Sequence, residues 1–565
     1  MNKKLDRNKT INTLSNLYGD QANGTYITIE NLIKKYQSKI KNESQPLNEK
    51  DAILITYGDS VQQEGISHLK TLKKFVDKFC LPEINSTHIL PCFPYTSDDG
   101  FSVTDYYEID PNLGTWKDIE ALAETSDLMF DAVVNHMSKS SQWFQSYLAL
   151  EDEFKDYFIA VNPEIDLSKV VRPRALPLLS PFKFKNGEVK YIWTTFSEDQ
   201  VDLNFKSPKV FLAVLDVLLH YTAKGAKYIR LDAIAFLWKE IGTDCLHLEQ
   251  THIIIKLYKE VIQTLTSNLY LITETNVPHK ENISYFGNGE DEADLVYNFT
   301  LAPLLVYSIM KGNVSVLNNW ANSLEMPSNK VCFFNFTASH DGIGMRPLQG
   351  IISVEEIMKI AKRAEKHGGQ VGYKNNEDGT QSPYELNCNY MDLLSNPKEE
   401  NDETRIAKMM LTQSIMLAFP GVPGIYVHSL VGSQNYYKGV EESGIKRRIN
   451  REKLNYNTLS DELNTTNSLR NKVYTKYKKI LKIRQNEQAF NPYGEAKFME
   501  INDSVFVLIR SFNNQTIYAV CNFSDEEQII NSLNSNVQDL ISNSSIKGDK
   551  WSLKPYQFNW YKVNS

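Results

Sequence analysis

Paired cysteines are missing from this chain. Its six, Cys80, Cys92, Cys245, Cys332, Cys388 and Cys521, are scattered over 565 residues, with neither the spacing of a zinc site nor the density of a disulfide framework. They read as reduced, buried thiols. Clustered positive charge is missing too. A formal charge of −8 without a long Lys/Arg run argues against nucleic acid and against an anionic membrane surface, since both need cationic patches. The first 20 residues hold no apolar core of a secretory signal, and no run of about 18 apolar residues suggests a membrane span. Low-complexity tracts are absent as well. The expectation is a cytoplasmic protein with small-molecule partners, as monomer or homodimer.

What the chain has is length, too much for one compact core, so a large domain with insertions and a smaller one are expected. Residues 1–50 read as a charged helical segment, with Ile29, Leu32, Ile33, Tyr36 and Ile40 spaced along one face. From Ala52 onward a short apolar run, a polar or glycine-bearing loop and an amphipathic stretch recur. Eight such runs, at 53–57, 88–91, 128–134, 228–231, 269–273, 295–298, 331–336 and 424–427, match a closed barrel. Two connections are far longer than the roughly 2–6 residues of an ordinary βα loop. One, near 138–204, holds Arg172-Pro-Arg174 and Gln200-Val-Asp202. The other, near 342–411, holds Tyr373-Lys374-Asn375-Asn376 and Pro383-Tyr384-Glu385. Alternating apolar residues at 505–510, 517–522 and 553–561 predict antiparallel strands at the end. The fold class is α/β, a (β/α)8 TIM barrel with inserted subdomains after strands 3 and 7 and a C-terminal antiparallel β domain. Its segments run 1–50 (helical), 51–137 (barrel), 138–204 (first insertion), 205–341 (barrel), 342–411 (second insertion), 412–490 (barrel) and 491–565 (β domain).

Charged residues recur where these runs end. Arg230-Leu-Asp232, Thr273-Glu274, Asn135-His136 and His340-Asp341 each follow an apolar run, at the end of the strand where barrel enzymes place their chemistry. Cleavage of a glycosidic bond with retention needs two carboxyl groups about 5–5.5 Å apart, one the nucleophile and one the acid and then the base. Asp232 suits the first role and Glu274 the second. Arg230, two residues before Asp232 and on the same side of a strand, is expected to keep that aspartate ionised. Asp341 is assigned the sugar hydroxyls beside the anomeric carbon, with His136 and His340 gripping hydroxyls from opposite sides.

At these stretches the sequence resembles the α-amylase superfamily, over nearly its whole length. Leu90-Pro-Cys-Phe-Pro94, Asp98-Asp99-Gly-Phe101, Arg172-Pro-Arg174, Gln200-Val-Asp202, His340-Asp-Gly-Ile-Gly344 and Ile449-Asn450-Arg451 resemble its sucrose phosphorylase branch. Thr273-Glu-Thr-Asn-Val-Pro-His-Lys280, Arg174-Ala-Leu-Pro-Leu-Leu179 and Ser382-Pro-Tyr-Glu-Leu-Asn387 are similar to the glucosylglycerate phosphorylases within it. The resemblance implies Asp232 as nucleophile, Glu274 as acid/base and Asp341 as transition-state stabiliser, with Arg230, His136 and His340 lining the glucose subsite. It also implies that Asp98 or Asp99 closes that pocket together with Arg447, that Phe101 and Phe196 offer apolar faces, that Gln200 lies near the acceptor, and that Tyr384 and Glu385 contact substrate. The implied reaction is reversible phosphorolysis of a small α-glucoside, with inorganic phosphate as co-substrate and α-glucose 1-phosphate as product. Glucosylglycerol, sucrose 6'-phosphate and sucrose phosphorylases are the alternatives, followed by a hydrolase, a transglucosylase or an inactive sugar-binding protein of the same fold. Arg172, Arg174, Lys374, Lys446, Arg447 and Arg448 are the cations available to an anionic acceptor and phosphate. No cofactor or metal is expected: the resemblance to some amylases would make Asn135 a calcium ligand, but the sucrose phosphorylase branch is not metal-dependent and no acidic calcium cluster is present in the sequence.

Overall fold

The computed structural model describes residues 4–40, 45–174, 176–375 and 380–564; Ala175 and Asn376, each within a stretch singled out above, lie outside these. The eight apolar runs form the barrel strands β1 (Ile53–Thr56), β2 (Ser86–Ile89), β3 (Asp127–Ala132), β4 (Ala226–Leu231), β5 (Tyr270–Thr273), β6 (Leu295–Tyr297), β7 (Cys332–Asn335) and β8 (Val422–Tyr426). Every neighbouring pair is parallel, and β1 closes the ring against β8. Side chains fill the inside and helices cover the outside, so most of these strands stand out as apolar runs; β2 is the exception, Ser86-Thr87-His88 being buried and polar and the strand starting two residues before its run.

The third run ends earlier than its apolar pattern suggests. Ladder pairing of β3 stops at Ala132, and His136–Ser138 forms a separate strand antiparallel to Gln200–Asp202. The start and finish of the first insertion are thereby tied to each other. Between them Ala160–Val161, Val189–Trp193 and Leu179–Lys183 make a three-stranded sheet. In the second insertion Gln381–Asn387 lies between Ile343–Gly344 and Gln370–Asn375. The chain ends in a six-stranded antiparallel sheet with a two-stranded partner, Gln528–Asn531 and Lys550–Leu553. At the other end, helices Arg7–Tyr18 and Ala22–Tyr36 pack on the outer barrel helices, burying Ile29 and Tyr36. All six cysteines are buried and unpaired. Among the described residues no helix is long and apolar enough to cross a membrane.

One buried arginine joins the first and last barrel strands to the C-terminal sheet. Arg484 donates to the carbonyls of Leu417 (3.0 Å), Asp51 (3.0 Å), Gly421 (3.4 Å), Phe490 (3.5 Å) and Glu49. Those carbonyls belong to the lead-ins of β1 and β8 and to the entry of the C-terminal sheet. Among the described residues no carboxylate pairs with this guanidinium, and burial lowers its pKa to about 10. Arg484→Met leaves buried carbonyls without donors, at an expected cost of about 3 kcal/mol. A denaturation midpoint equal to that of the parent protein would contradict this role.

Candidate active site

Barrel register builds the floor of the site. Arg230 on β4 lies opposite Asp131 on β3, and its Nη1 donates to Asp131 at 2.5 Å and to Asp232 at 2.7 Å. Asp131 is also held by His88 of β2 at 2.8 Å. Pairing then runs one residue past the strand ends. The amide of Asp232 donates to Ala132 and that of Glu274 to Leu231, both at 3.2 Å, so the two carboxyls stand side by side over the barrel mouth. Immediately after Asp232 the chain turns through Ala233 in a left-handed conformation (φ 48°), a strained geometry for an alanine. That turn aims the Ala233 amide at Glu274 Oε2, 3.0 Å away.

The electrostatics follow from burial and from how the cations are shared. Burial pushes both Asp232 and Glu274 above the usual carboxylate range; Arg230 pulls each down, while neighbouring carboxylates push them up. Arg230, expected to keep Asp232 ionised, does act in that direction, but its guanidinium is divided between Asp131 and Asp232 and burial outweighs it. Burial likewise works against ionisation of Asp341, but Arg447, His340 and Arg451 overcome it and hold that carboxyl well below its ordinary value. Arg447 Nη1 lies 2.6 Å from Asp341, and its other nitrogens reach Glu385 at 2.8 and 3.2 Å. Burial lowers the pKa of His136 to about 4 and of His340 to about 3, so both rings are neutral at pH 7.

A cavity over this floor brings together Asp232, Glu274, Asp341, Asp98, Phe101, His136, Phe196, Gln200, His340, Tyr384, Glu385 and Arg447. Phe101 stacks on His340, with ring centres 4.8 Å apart. Three of the expected placements change. Arg230 lies beneath the cavity and touches it through Asp232. Asp99 is turned away from the cavity to Arg451 (2.5 Å) and Arg448, so of the two aspartates Asp98 faces the cavity, held by Arg174 at 2.7 Å. Burial opposes the charge on Asp98, yet Arg174 and Arg447 lower its pKa to about 2. Gln200 sits deep, donating to Asp98 at 3.2 Å and to the Phe101 carbonyl at 3.0 Å, beside His136 and away from the outer rim.

The Asn135 region is occupied by a lysine. Lys239 Nζ lies 2.7 Å from Asn135 Oδ1 and 2.6 Å from Asp202, so an ammonium takes the oxygens that a cation would need. Among the described residues no group of three or more His, Cys, Asp or Glu could hold a metal. Sequence reasoning passed over Asn276 and Arg346, which line the same cavity. A signal was available for both, since Asn276 lies inside the stretch Thr273–Lys280 already singled out and Arg346 stands two residues past Gly344.

The catalytic-domain family called alpha amylase matches residues 67–343. A glucosylglycerate phosphorylase of Escherichia coli K12 is 44% identical over 98% of this chain and 100% of its own. One from Spirochaeta thermophila is 43% identical over 91% of this chain and 89% of its own. A glucosylglycerol phosphorylase of Marinobacter adhaerens is 29% identical over 80% and 90%. In fold, the chain is similar to the crystal structure of a sucrose 6F-phosphate phosphorylase from Thermoanaerobacter thermosaccharolyticum, with a TM-score of 0.75, 24% identity, and coverage of 90% of this chain and 99% of that one. With a closed parallel barrel and relatives of this identity along nearly its full length, the chain belongs to the α-amylase superfamily and, within it, to the family of the glucosylglycerate phosphorylases.

Proposed function

We propose that the protein is a cytoplasmic retaining phosphorylase that moves glucose from 2-O-α-D-glucosylglycerate to phosphate. The observation that carries the reading is the pair Asp232 and Glu274, side by side on β4 and β5 and linked through Arg230 and the Ala233 amide. The relatives' activity supports the substrate. Of the two carboxyls, Asp232 receives the 2.7 Å hydrogen bond from Arg230, whereas Glu274 lies 3.7 Å from that guanidinium. One proton shared by the pair therefore belongs on Glu274.

A carboxylate oxygen of Asp232 attacks the anomeric carbon. The glycosidic C–O bond breaks, its electron pair goes to the glycerate oxygen, and Glu274 gives that oxygen its proton. Asp341, ionised and braced by Arg447, grips the adjacent hydroxyls more strongly as positive charge grows on the ring. A phosphate oxygen then attacks the β-glucosyl ester on Asp232 and passes its proton to Glu274. The products are α-glucose 1-phosphate and the enzyme in its starting state.

The test runs the reaction in reverse. α-Glucose 1-phosphate is offered with D-glycerate, glycerol, fructose or fructose 6-phosphate in turn, and phosphate release is followed. Release with D-glycerate well above the other acceptors is expected. Release with another acceptor alone keeps the mechanism and changes the substrate. Equal release with no acceptor means hydrolysis and ends the phosphorylase reading.

A further inference from the structure

Most cations around the mouth are already engaged. Arg174, Arg447, Arg448 and Arg451 are paired with Asp98, Asp341, Glu385 or Asp99, and Lys446 donates to the Val371 carbonyl at 2.8 Å. Among the described residues, Arg172, Arg346 and Lys374 have no such partner. Arg172 and Lys374 stand in the outer mouth, while Arg346 lines the cavity that contains Asp232 and Glu274.

Backbone pairing sets the place of Arg346. Ile343 and Gly344 pair with Leu386 and Glu385, and the Met345 amide donates to the Tyr384 carbonyl at 3.0 Å. Arg346 comes next along that edge. On the far strand of the same sheet Lys374 lies opposite Ser382. Burial, and then the charge of Arg346, lowers the pKa of Lys374. Two positive charges without counter-ions thus share one side of the mouth.

A second feature lies beside them. Asn276, two residues after Glu274, lines the same cavity, and its Oδ1 is buried without a donor. It packs so closely on Gly344 that a Cβ there would lie 2.5 Å from the amide. An uncompensated guanidinium needs an anion, and a buried carbonyl without a donor needs a hydroxyl. D-Glycerate carries its carboxylate carbon and its hydroxyl-bearing carbon each two bonds from the oxygen that bears glucose. Glycerol offers the hydroxyl without the carboxylate.

We propose that Arg346 and Asn276 are the specificity-determining residues for the acceptor: Arg346 takes the glycerate carboxylate in its planar fork, and the Asn276 carbonyl accepts a hydrogen bond from the free hydroxyl. The proposal rests on the phosphorylase reading above. The same cation would then serve both half-reactions, since departing glycerate and incoming phosphate each bring a small anion to the same side of the anomeric carbon.

α-Glucosyl fluoride provides the test, because it loads glucose onto the enzyme without phosphate or glycerate. Transfer to D-glycerate and to glycerol is then measured separately, and the ratio of their kcat/KM values is the readout. Arg346→Gln is expected to lower the glycerate-to-glycerol ratio at least tenfold. Arg346→Lys, which keeps the charge and loses the fork, should lie between it and the parent protein. A merely structural role would reduce both transfers together, and an unchanged ratio in Arg346→Gln overturns the proposal. Should Arg346→Gln fail to fold, Arg346→Lys decides by the same ratio, an unchanged value again being fatal. Parent protein that prefers glycerol over glycerate would instead sink the substrate reading, before any variant is compared.

Discussion

Asp232→Ala is expected to reduce glucosyl transfer from 2-O-α-D-glucosylglycerate by about 10⁴-fold or more, the scale of losing a covalent nucleophile. Loss of activity alone would not assign the role, because Asp232 also anchors Arg230 at 2.7 Å and its removal disturbs Asp131 beneath. The stereochemistry of rescue does. With the carboxylate gone, azide added to the medium can enter the vacated space and attack the anomeric carbon directly, in a single inversion of the α-fluoride. The expected product is β-glucosyl azide. Formation of the α-azide, or retention of more than about one per cent of the parent rate, would assign the nucleophile elsewhere.

How much of this was legible in the residues has a physical pattern. Most of the barrel strands were, because a parallel strand covered on both faces is largely apolar, with buried polar groups such as His88, Asp131 and Arg230 paired with one another. Asp232 and Glu274 were visible for the same reason, each being the first charged position after such a run. The choice between Asp98 and Asp99 was not. Two neighbouring aspartates are chemically alike, and what separates them is a turn in which both take left-handed backbone angles (φ 54° and 52°). That turn continues through Gly100, where a Cβ would meet the Pro91 carbonyl at 2.8 Å. It sends one carboxylate into the cavity and the other to Arg448 and Arg451, some 350 residues along the chain. Gln200 was misplaced for a related reason. Its depth depends on the first insertion returning to pair with His136–Ser138, a long-range pairing that no local pattern encodes. Arg346 stands two residues past Gly344, but its place in the cavity wall is set by pairing with strand residues near Tyr384.

Glu274→Ala separates the two carboxyls by their dependence on the leaving group. Glycerate leaves as an alkoxide unless it is given a proton, so the variant should lose about 10²–10⁴-fold on the natural glucoside. Fluoride needs little protonation, and the first step with α-glucosyl fluoride should fall far less. Azide now attacks the intact ester on Asp232, and two inversions give α-glucosyl azide, the opposite anomer to that from Asp232→Ala. The pH profile adds an independent check. Cleavage requires Glu274 protonated and Asp232 ionised, and burial raises the pKa of the acid. In the parent protein, activity on the glucoside should therefore decline as pH rises through the raised pKa of the pair, and decline again in acid as Asp232 gains a proton. With Glu274 gone, the residual activity on the glucoside should lose its alkaline decline while the acid decline stays, shifted downward because Asp232 no longer faces the Glu274 carboxyl. An alkaline decline that persists in Glu274→Ala would mean that another group supplies the proton. Asp341 would not be that group, because Arg447 holds its carboxyl ionised and so unfit to donate.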